Sequence, residues 1–241
     1  MGRVFFKKAM DTRAFGAVLG WRKYQLFYAR YHEMVPIVRE RRRQTGRELR
    51  ILDIGSGMGL AKQLLDIHAG PAEWTGVEVD AERIEICRRL GYQKLLTEVD
   101  LERASLPLAD GAFDIVIASH VLEHLEPAAP GVPDWFRLVA RGGALILGVP
   151  MHLGPIAWLA RLRYRLKGRR PRAHCRFFTL RSLRRLLADF PIERIWGFRL
   201  LSAGRELPLE DWRWFYRGSL WFGRHFPGWT AEVNVLLRRS D

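Results

Sequence analysis

The sequence predicts an α/β fold, a mostly parallel sheet with helices on both faces, on the strength of two observations. From Glu48 onward, short apolar runs rich in β-branched residues alternate with segments of helical periodicity. That alternation is what successive parallel strands joined by crossover helices require. The second observation is a glycine-rich turn, Asp53-Ile54-Gly55-Ser56-Gly57-Met58-Gly59, between the first strand and the helix after it. With 241 residues, 48% of them apolar, the chain can bury one sizeable α/β core and is short for two. A single domain is therefore expected.

The elements follow in order. Residues 14–43 read as helical, mixing apolar and aromatic residues with arginine and ending in Arg41-Arg42-Arg43, and Gln44-Thr45-Gly46 breaks the pattern. Residues 51–54 form a short buried strand that runs into the glycine turn. A helix carries Leu60, Leu64, Leu65 and Ile67 and stops at Gly70-Pro71. Residues 74–79 make a second strand. Asp80 can cap the next helix, whose apolar face is Ile84, Cys87 and Leu90, with Gly91 at its end. A weaker strand lies near 94–99. The turn Ala109-Asp110-Gly111 announces a strand at 113–118, and Gly142-Gly143 opens another at 144–149. Thr179 caps a helix with Leu180, Leu183, Leu186 and Leu187 on one side. Segments 192–201 and 231–237 complete a count of seven strands. The expected organisation is a helical extension over 1–47, a core over 48–201 with a basic insertion at 150–178, an aromatic and basic segment over 202–230, and a closing strand in 231–241.

Composition narrows the function. Lys plus Arg total 40 against 26 Asp plus Glu, a net charge of +14, nearly all of it from arginine. Such a balance favours an anionic partner, whether nucleic acid, membrane surface or acidic substrate. Cys87 and Cys175 lie far apart without C-x-x-C spacing, which suggests a reducing compartment and argues against a disulfide framework or a zinc site. The N-terminal apolar run is cut by Asp11 and Arg13 and does not read as a signal peptide. Residues 143–160 are uncharged over about the length of a membrane span. Their Pro150, Pro155, Gly148 and Gly154 fit a strand, a loop and a helix start better.

The glycine turn carries the chemistry. In a doubly wound sheet the first strand-to-helix turn lies at the carboxyl edge, where ligands bind. Gly55 and Gly57 let the backbone approach a ligand closely, and their N–H groups with the helix start can hold a carboxylate or phosphate. About 20 residues on, at the end of the second strand, Glu78 is placed to accept hydrogen bonds from both hydroxyls of a ribose. A dinucleotide fingerprint needs G-x-G-x-x-G, but the sixth position from Gly55 is Leu60. Asp53 does not belong to that fingerprint either.

The chain resembles the methyltransferase type 11 branch of the class I S-adenosylmethionine-dependent methyltransferases. The matching stretches are 51–60, Gly76-Val77-Glu78, Asp100 and Leu101 ahead of Ser105-Leu106-Pro107-Leu108, 110–125, 137–150 and 174–190. They stand in the family's order and spacing over residues 48–190. The resemblance implies a Rossmann-like seven-stranded sheet and S-adenosylmethionine as cofactor. It also implies that Asp53, Gly55, Ser56, Gly57 and Gly59 border the methionine part, that Glu78 binds the ribose, and that Asp100 meets the adenine amino group beside the Leu101 amide. Ser119 and His120 would line the pocket near the sulfonium. The family often has Asp where this chain has Glu78.

Methyl transfer from a sulfonium is an in-line displacement in which positioning supplies much of the rate, and a hydroxyl acceptor benefits from a base. His120, His124, His152 and His174 lie in or near the expected cleft, and histidine titrates in the useful range. His120 and His174 are the candidate bases. The other reading of His120 and Glu123 is that they orient the cofactor and the helix that follows. His120 and His124 would share a face only if a helix starts that early, and no third ligand suggests a metal. For the acceptor, residues 155–167 read as an amphipathic helix surrounded by Arg161, Arg163, Arg165 and Lys167, with Arg169, Arg170 and Arg172 following. An anionic acceptor, an anionic membrane surface and an ordinary solvated face all fit it. Trp212, Trp214, Phe215, Tyr216, Trp221, Phe222, Phe226 and Trp229, interleaved with Arg213, Arg217 and Arg224, suit a lipid–water interface, base stacking or a lid over the core.

The reading that results is a methyltransferase acting on a small-molecule, lipid-linked or glycan-precursor acceptor. Its expected location is the cytoplasm, with peripheral contact at an anionic inner membrane surface. An RNA methyltransferase is favoured by charge alone. A non-catalytic, membrane-associated module of the same fold would have no reason to keep Asp53, Glu78 and Asp100 together.

Overall fold

In the computed structural model, residues 26–126, 130–152, 176–199 and 213–240 are described. His174, the basic stretch 161–172, the start of the expected N-terminal helix and the segment up to Trp212 lie outside them. The described helices are α1 (Leu26–His32), α2 (Val35–Thr45), α3 (Leu60–Ala69), α4 (Ala81–Arg89), α5 (Gly131–Arg137), α6 (Leu180–Leu186) and α7 (Arg213–His225). The strands are β1 (Arg50–Ile54), β2 (Glu73–Val77), β3 (Lys94–Leu96), β4 (Phe113–Ser119), β5 (Val139–Pro150), β6 (Ile192–Phe198) and β7 (Glu232–Arg238).

The seven strands form one sheet in the order β3-β2-β1-β4-β5-β7-β6. β1 pairs in parallel with β2 and β4, β2 with β3, and β4 with β5, while β7 runs antiparallel between β5 and β6. The strand order reverses at β1, with β2 and β3 laid to one side and β4 and β5 to the other, so the switch point lies between β1 and β4 at the glycine turn. Strands buried on both faces read as continuous apolar runs, and their alternation distributes side chains between two cores. Ile51, Ile115, Ile117, Ala144 and Ile146 pack with α2, α3, Trp74 and Trp196 on one face. Leu52, Ile54, Val116, Ala118, Leu145 and Leu147 pack with Trp135, Leu183 and Leu187 on the other.

Several elements differ from their sequence-level bounds. The single N-terminal helix divides at Glu33-Met34, and Pro36 occupies the first turn of α2, where its missing N–H costs nothing because that position has no intrahelical acceptor. Gly46 ends α2 in the left-handed conformation at φ 64°. β3 stops at Leu96 and β6 at Phe198, each short of expectation, and β5 begins earlier, at Val139. Thr179 and Ser182 form the reciprocal cap expected of α6. Leu186 does not share the buried side of Leu183 and Leu187 but is 39% exposed. After β4 the chain makes a 3-10 turn, Leu122–His124, rather than an α-helix, so His120 and His124 do not share an α-helical face.

Candidate active site at the carboxyl edge of the sheet

The glycine turn leaves β1 with Gly55, Gly57 and Gly59 all at positive φ, 69°, 55° and 64°. A Cβ on Gly55 would lie 2.5 Å from Cγ2 of Val121, so both the backbone angle and the approach of the chain after β4 demand glycine. A Cβ on Gly57 would meet nothing closer than a turn carbonyl at 3.8 Å, which leaves open space in front of that peptide. The amides of Gly55 and Ser56 both donate to the Val77 carbonyl at 2.9 and 3.0 Å, tying the turn to the end of β2. The Ser56 hydroxyl donates to the Asp53 carbonyl at 2.8 Å, which turns Ser56 into the loop.

Glu78 follows β2 and is 6% exposed. Its Oε2 accepts the Gly57 amide at 2.8 Å, and its Oε1 accepts the Val79 and Asp80 amides at 2.9 and 3.0 Å. Three backbone donors thus hold the carboxylate oriented beside the turn, with lone-pair capacity remaining for further donors. Asp80 caps α4 through the Arg83 amide at 3.0 Å. Asp53 lies beneath the turn and accepts the Tyr92 hydroxyl at 2.7 Å. Burial raises the Asp53 carboxyl to about 7; the Tyr92 bond opposes that rise and the Glu78 charge adds to it. Asp100 stands beyond β3, its side chain accepting the Glu102 amide at 3.0 Å with Arg103 3.5 Å away, and 55% of the side chain is open to solvent. Leu101 packs partly against the core.

β4 delivers Ser119 and His120 to the same edge. Ser119 faces Gly148 of β5, where a Cβ would crowd the Ser119 hydroxyl and the Asn234 side chain. His120 takes a positive φ of 58° and donates its amide to the Gly148 carbonyl at 2.8 Å. Its Nε2 lies 2.9 Å from Glu232 at the start of β7, and its Nδ1 lies 3.1 Å from the fully buried Glu123. Burial lowers the imidazole pKa, but the Glu123 carboxylate beside the ring and the hydrogen-bonded Glu232 outweigh it and raise it from its ordinary value. Both ring nitrogens therefore lie beside carboxylates. Of the two readings of His120, this geometry favours the orienting one over the base. Glu232 in turn receives Arg30 of α1 at 2.8 Å and also Arg199. These cations and His120 hold its carboxyl well below the usual carboxylate range despite burial.

The structure thus brings together Asp53, Gly55, Ser56, Gly57, Gly59 and Glu78, and sets Ser119 and His120 on the neighbouring strand end. Arg30, Tyr92, Arg199 and Glu232 escaped the sequence reading. The sequence signal among them is Glu232, an acidic residue opening the strand Val233-Asn234-Val235-Leu236-Leu237. His124 is exposed, with Nε2 4.0 Å from Glu123.

Residues 52–147 match the family model for a methyltransferase domain, type 11. A methyltransferase of Mycolicibacterium gilvum without a characterised reaction is 31% identical over 110 residues, 45% of this chain and 42% of the relative. An ajmaline N-methyltransferase of Rauvolfia serpentina is 29% identical over 111 residues, 42% of this chain and 36% of the relative. A ribosomal protein L11 methyltransferase of Geobacter sulfurreducens is 33% identical over 104 residues, 42% of this chain and 32% of the relative. The chain therefore matches well under half the length of these curated relatives. In fold it is similar to an S-adenosylmethionine-dependent methyltransferase from Thermotoga maritima, with TM-score 0.53 and 18% identity over 87% of this chain and 95% of the other. It is likewise similar to one from Archaeoglobus fulgidus, with TM-score 0.51 and 16% identity over 89% and 98%. The residues present fit that cofactor: a clear space before Gly57, and an amide-held Glu78 carboxylate with capacity left to accept from a ribose diol. Residues 52–147 thus match a type 11 methyltransferase domain, and the fold of the chain is similar to that of S-adenosylmethionine-dependent methyltransferases.

Proposed function

We propose that this chain transfers the methyl group of S-adenosylmethionine to a small-molecule, lipid-linked or glycan-precursor acceptor. The observation that carries the catalytic reading is the Glu78 carboxylate locked onto the Gly57 amide beside an open approach to the turn. When bound, the cofactor supplies an electrophilic methyl on a sulfonium. In this reading Glu78 accepts the ribose hydroxyls, Asp53 and the turn from Gly55 to Gly59 border the methionine part, and Asp100 with the Leu101 amide meets the adenine. Ser119 lines the wall near the reacting centre. His120, held between Glu123 and Glu232, positions that wall, and the chemistry draws on alignment rather than on proton removal by this ring. His174 stays a candidate base by sequence alone.

The acceptor reading draws support from where the arginines go. Arg47 meets Asp114 at 2.8 Å, Arg194 and Arg224 each meet Glu33 at 2.8 Å, and Arg238 meets Glu193 at 2.6 Å. Arg39 and Arg41 donate to the carbonyls of His68 and Arg141. Several of the described arginines are thus held by partners within the fold rather than set out along one phosphate-tracking groove of the kind a nucleic-acid enzyme uses.

Calorimetric titration of S-adenosylhomocysteine into the wild type and Glu78→Ala tests the cofactor site. Loss of two hydrogen bonds to a carboxylate predicts affinity roughly a hundredfold to ten-thousandfold weaker in the variant. Unchanged affinity would remove Glu78 from the ribose site, and no binding to folded wild type would remove the enzyme reading. Tritiated methyl donor incubated with cell extract then separates acceptors. Label in the lipid or small-molecule fraction is expected, and label confined to RNA would overturn the acceptor class.

A further inference from the structure

Helix α7 presents one face to the fold and another to solvent. Tyr216, Ser219, Leu220 and Gly223 face inward, with Tyr216 and Leu220 clustered against Ala29 and Phe198. Gly223 sits so close to the Gly197 carbonyl of β6 that a side chain there would collide with backbone. The helix is therefore anchored, and its outward residues are held in place. Those residues include Trp214, 64% exposed, and Trp221, 58% exposed, two turns apart on one face. The chain continues through Phe226, 48% exposed, into a 3-10 turn ending in Trp229, 66% exposed. Among the described residues, three of the seven exposed large hydrophobics are tryptophans, all within this stretch. Single exposed apolar residues are ordinary, but a fixed row of indoles is not.

The charge of the stretch has one sign. Between residues 213 and 229 there are three arginines, Arg213, Arg217 and Arg224, with His225, and no Asp or Glu. The carboxylate facing it, Glu33, already meets two arginines, Arg194 and Arg224. Indoles with arginine are the combination that partitions into the headgroup layer of an anionic bilayer, the rings reaching the acyl boundary and the cations the lipid phosphates. No described helix is long and apolar enough to cross a membrane, so contact of this kind is with the surface.

Position adds a functional reason. β7 opens at Glu232, opposite Pro150 and Phe198, at the carboxyl edge of the sheet. Trp229 precedes it by one short turn, so the aromatic row ends on the edge that carries Gly55 and His120. We propose that the outward face of α7 and the Phe226–Trp229 turn dock this protein on an anionic membrane surface, with the carboxyl edge of the sheet beside the bilayer. This rests on the exposed face and its charge, independently of the methyltransferase reading, though it would bring a lipid-linked acceptor to that site.

The test is flotation of the full chain with phosphatidylcholine vesicles, with and without phosphatidylglycerol, together with the variant Trp214→Ala/Trp221→Ala/Trp229→Ala. All three positions are exposed, so the variant is expected to melt with the wild type and to bind S-adenosylhomocysteine equally. Wild type should float with the anionic vesicles with a blue-shifted tryptophan emission, and the variant's partition should fall at least about tenfold. If the variant melts early, Trp214→Ala/Trp229→Ala replaces it, with the same expected direction. Failure of wild type to float at low salt, or variant flotation equal to wild type, overturns the proposal. Capture of a protein or RNA without vesicle binding overturns it as well. Flotation is read without turnover, so it stands or falls separately from cofactor binding.

Discussion

Replacing Glu232 by Gln removes one buried negative charge and leaves Arg30, Arg199 and His120 facing a neutral amide. Glu232 is 3% exposed, with Arg30 and His120 2.8 and 2.9 Å from the same oxygen. Breaking a buried ion pair from one side costs about 3–5 kcal/mol, because the partner charges stay desolvated. At about 2–4 °C per kcal/mol for a domain of this size, the melting temperature should fall by roughly 6–20 °C. The pH dependence carries its own sign. Glu232 is depressed below 4.5 in the fold, so its contribution is complete above that value and is lost as pH falls through the lower folded value. The gap between wild type and variant should therefore be widest near pH 7 and narrow steadily in acid. Urea titrations at pH 7 and pH 4, followed by circular dichroism, measure it. A cost below about 1 kcal/mol at pH 7, or a gap that does not shrink in acid, would refute the claim that this carboxylate holds the three cations together.

Two further predictions follow from the same geometry. Asp53, raised to about 7 by burial, binds its proton more tightly in the folded than in the unfolded state. Its charging therefore lowers stability as pH rises from about 4 to about 7. If the ionised form faces the ammonium of the cofactor, S-adenosylhomocysteine affinity should rise through the same window. Tyr92→Phe, which deletes the bond that opposes the shift, should move that midpoint upward in a calorimetric pH series; a midpoint that stays put would separate Asp53 from binding. Asp114 is fully buried at the start of β4, where it accepts both Arg47 nitrogens and the Arg50 amide within 2.9 Å. Asp114→Ala should cost about 3 kcal/mol or more in urea unfolding while leaving S-adenosylhomocysteine affinity unchanged, since Asp114 lies at the opposite end of the strand from Ser119.

The strands, most helices and the cofactor turn were legible in the sequence because each is written in local spacing. Apolar runs of strand length mark β1, β4 and β5, the glycines mark a turn that needs positive φ, and Glu78 stands one crossover away at the next strand end. The Thr179 cap depends on a residue three positions on and was equally visible. Element bounds were less so, as at β6 and the divided N-terminal helix, because local preference yields to packing at element ends. What only the tertiary structure decided is which distant charges meet. Arg30 and Glu232 are 202 residues apart, and His120 and Glu232 are 112 apart, so no local period links them; they converge because β7 inserts antiparallel between β5 and β6 and starts at the carboxyl edge. That convergence is what the proposed orienting role of His120 rests on, since by spacing alone the residue was as good a base as an orienting group. The aromatic stretch divides by the same cause. Contact with β6 and α1 buries Tyr216 and Leu220, and leaves Trp214, Trp221 and Trp229 in water, because a helix can turn only one side to the sheet it covers.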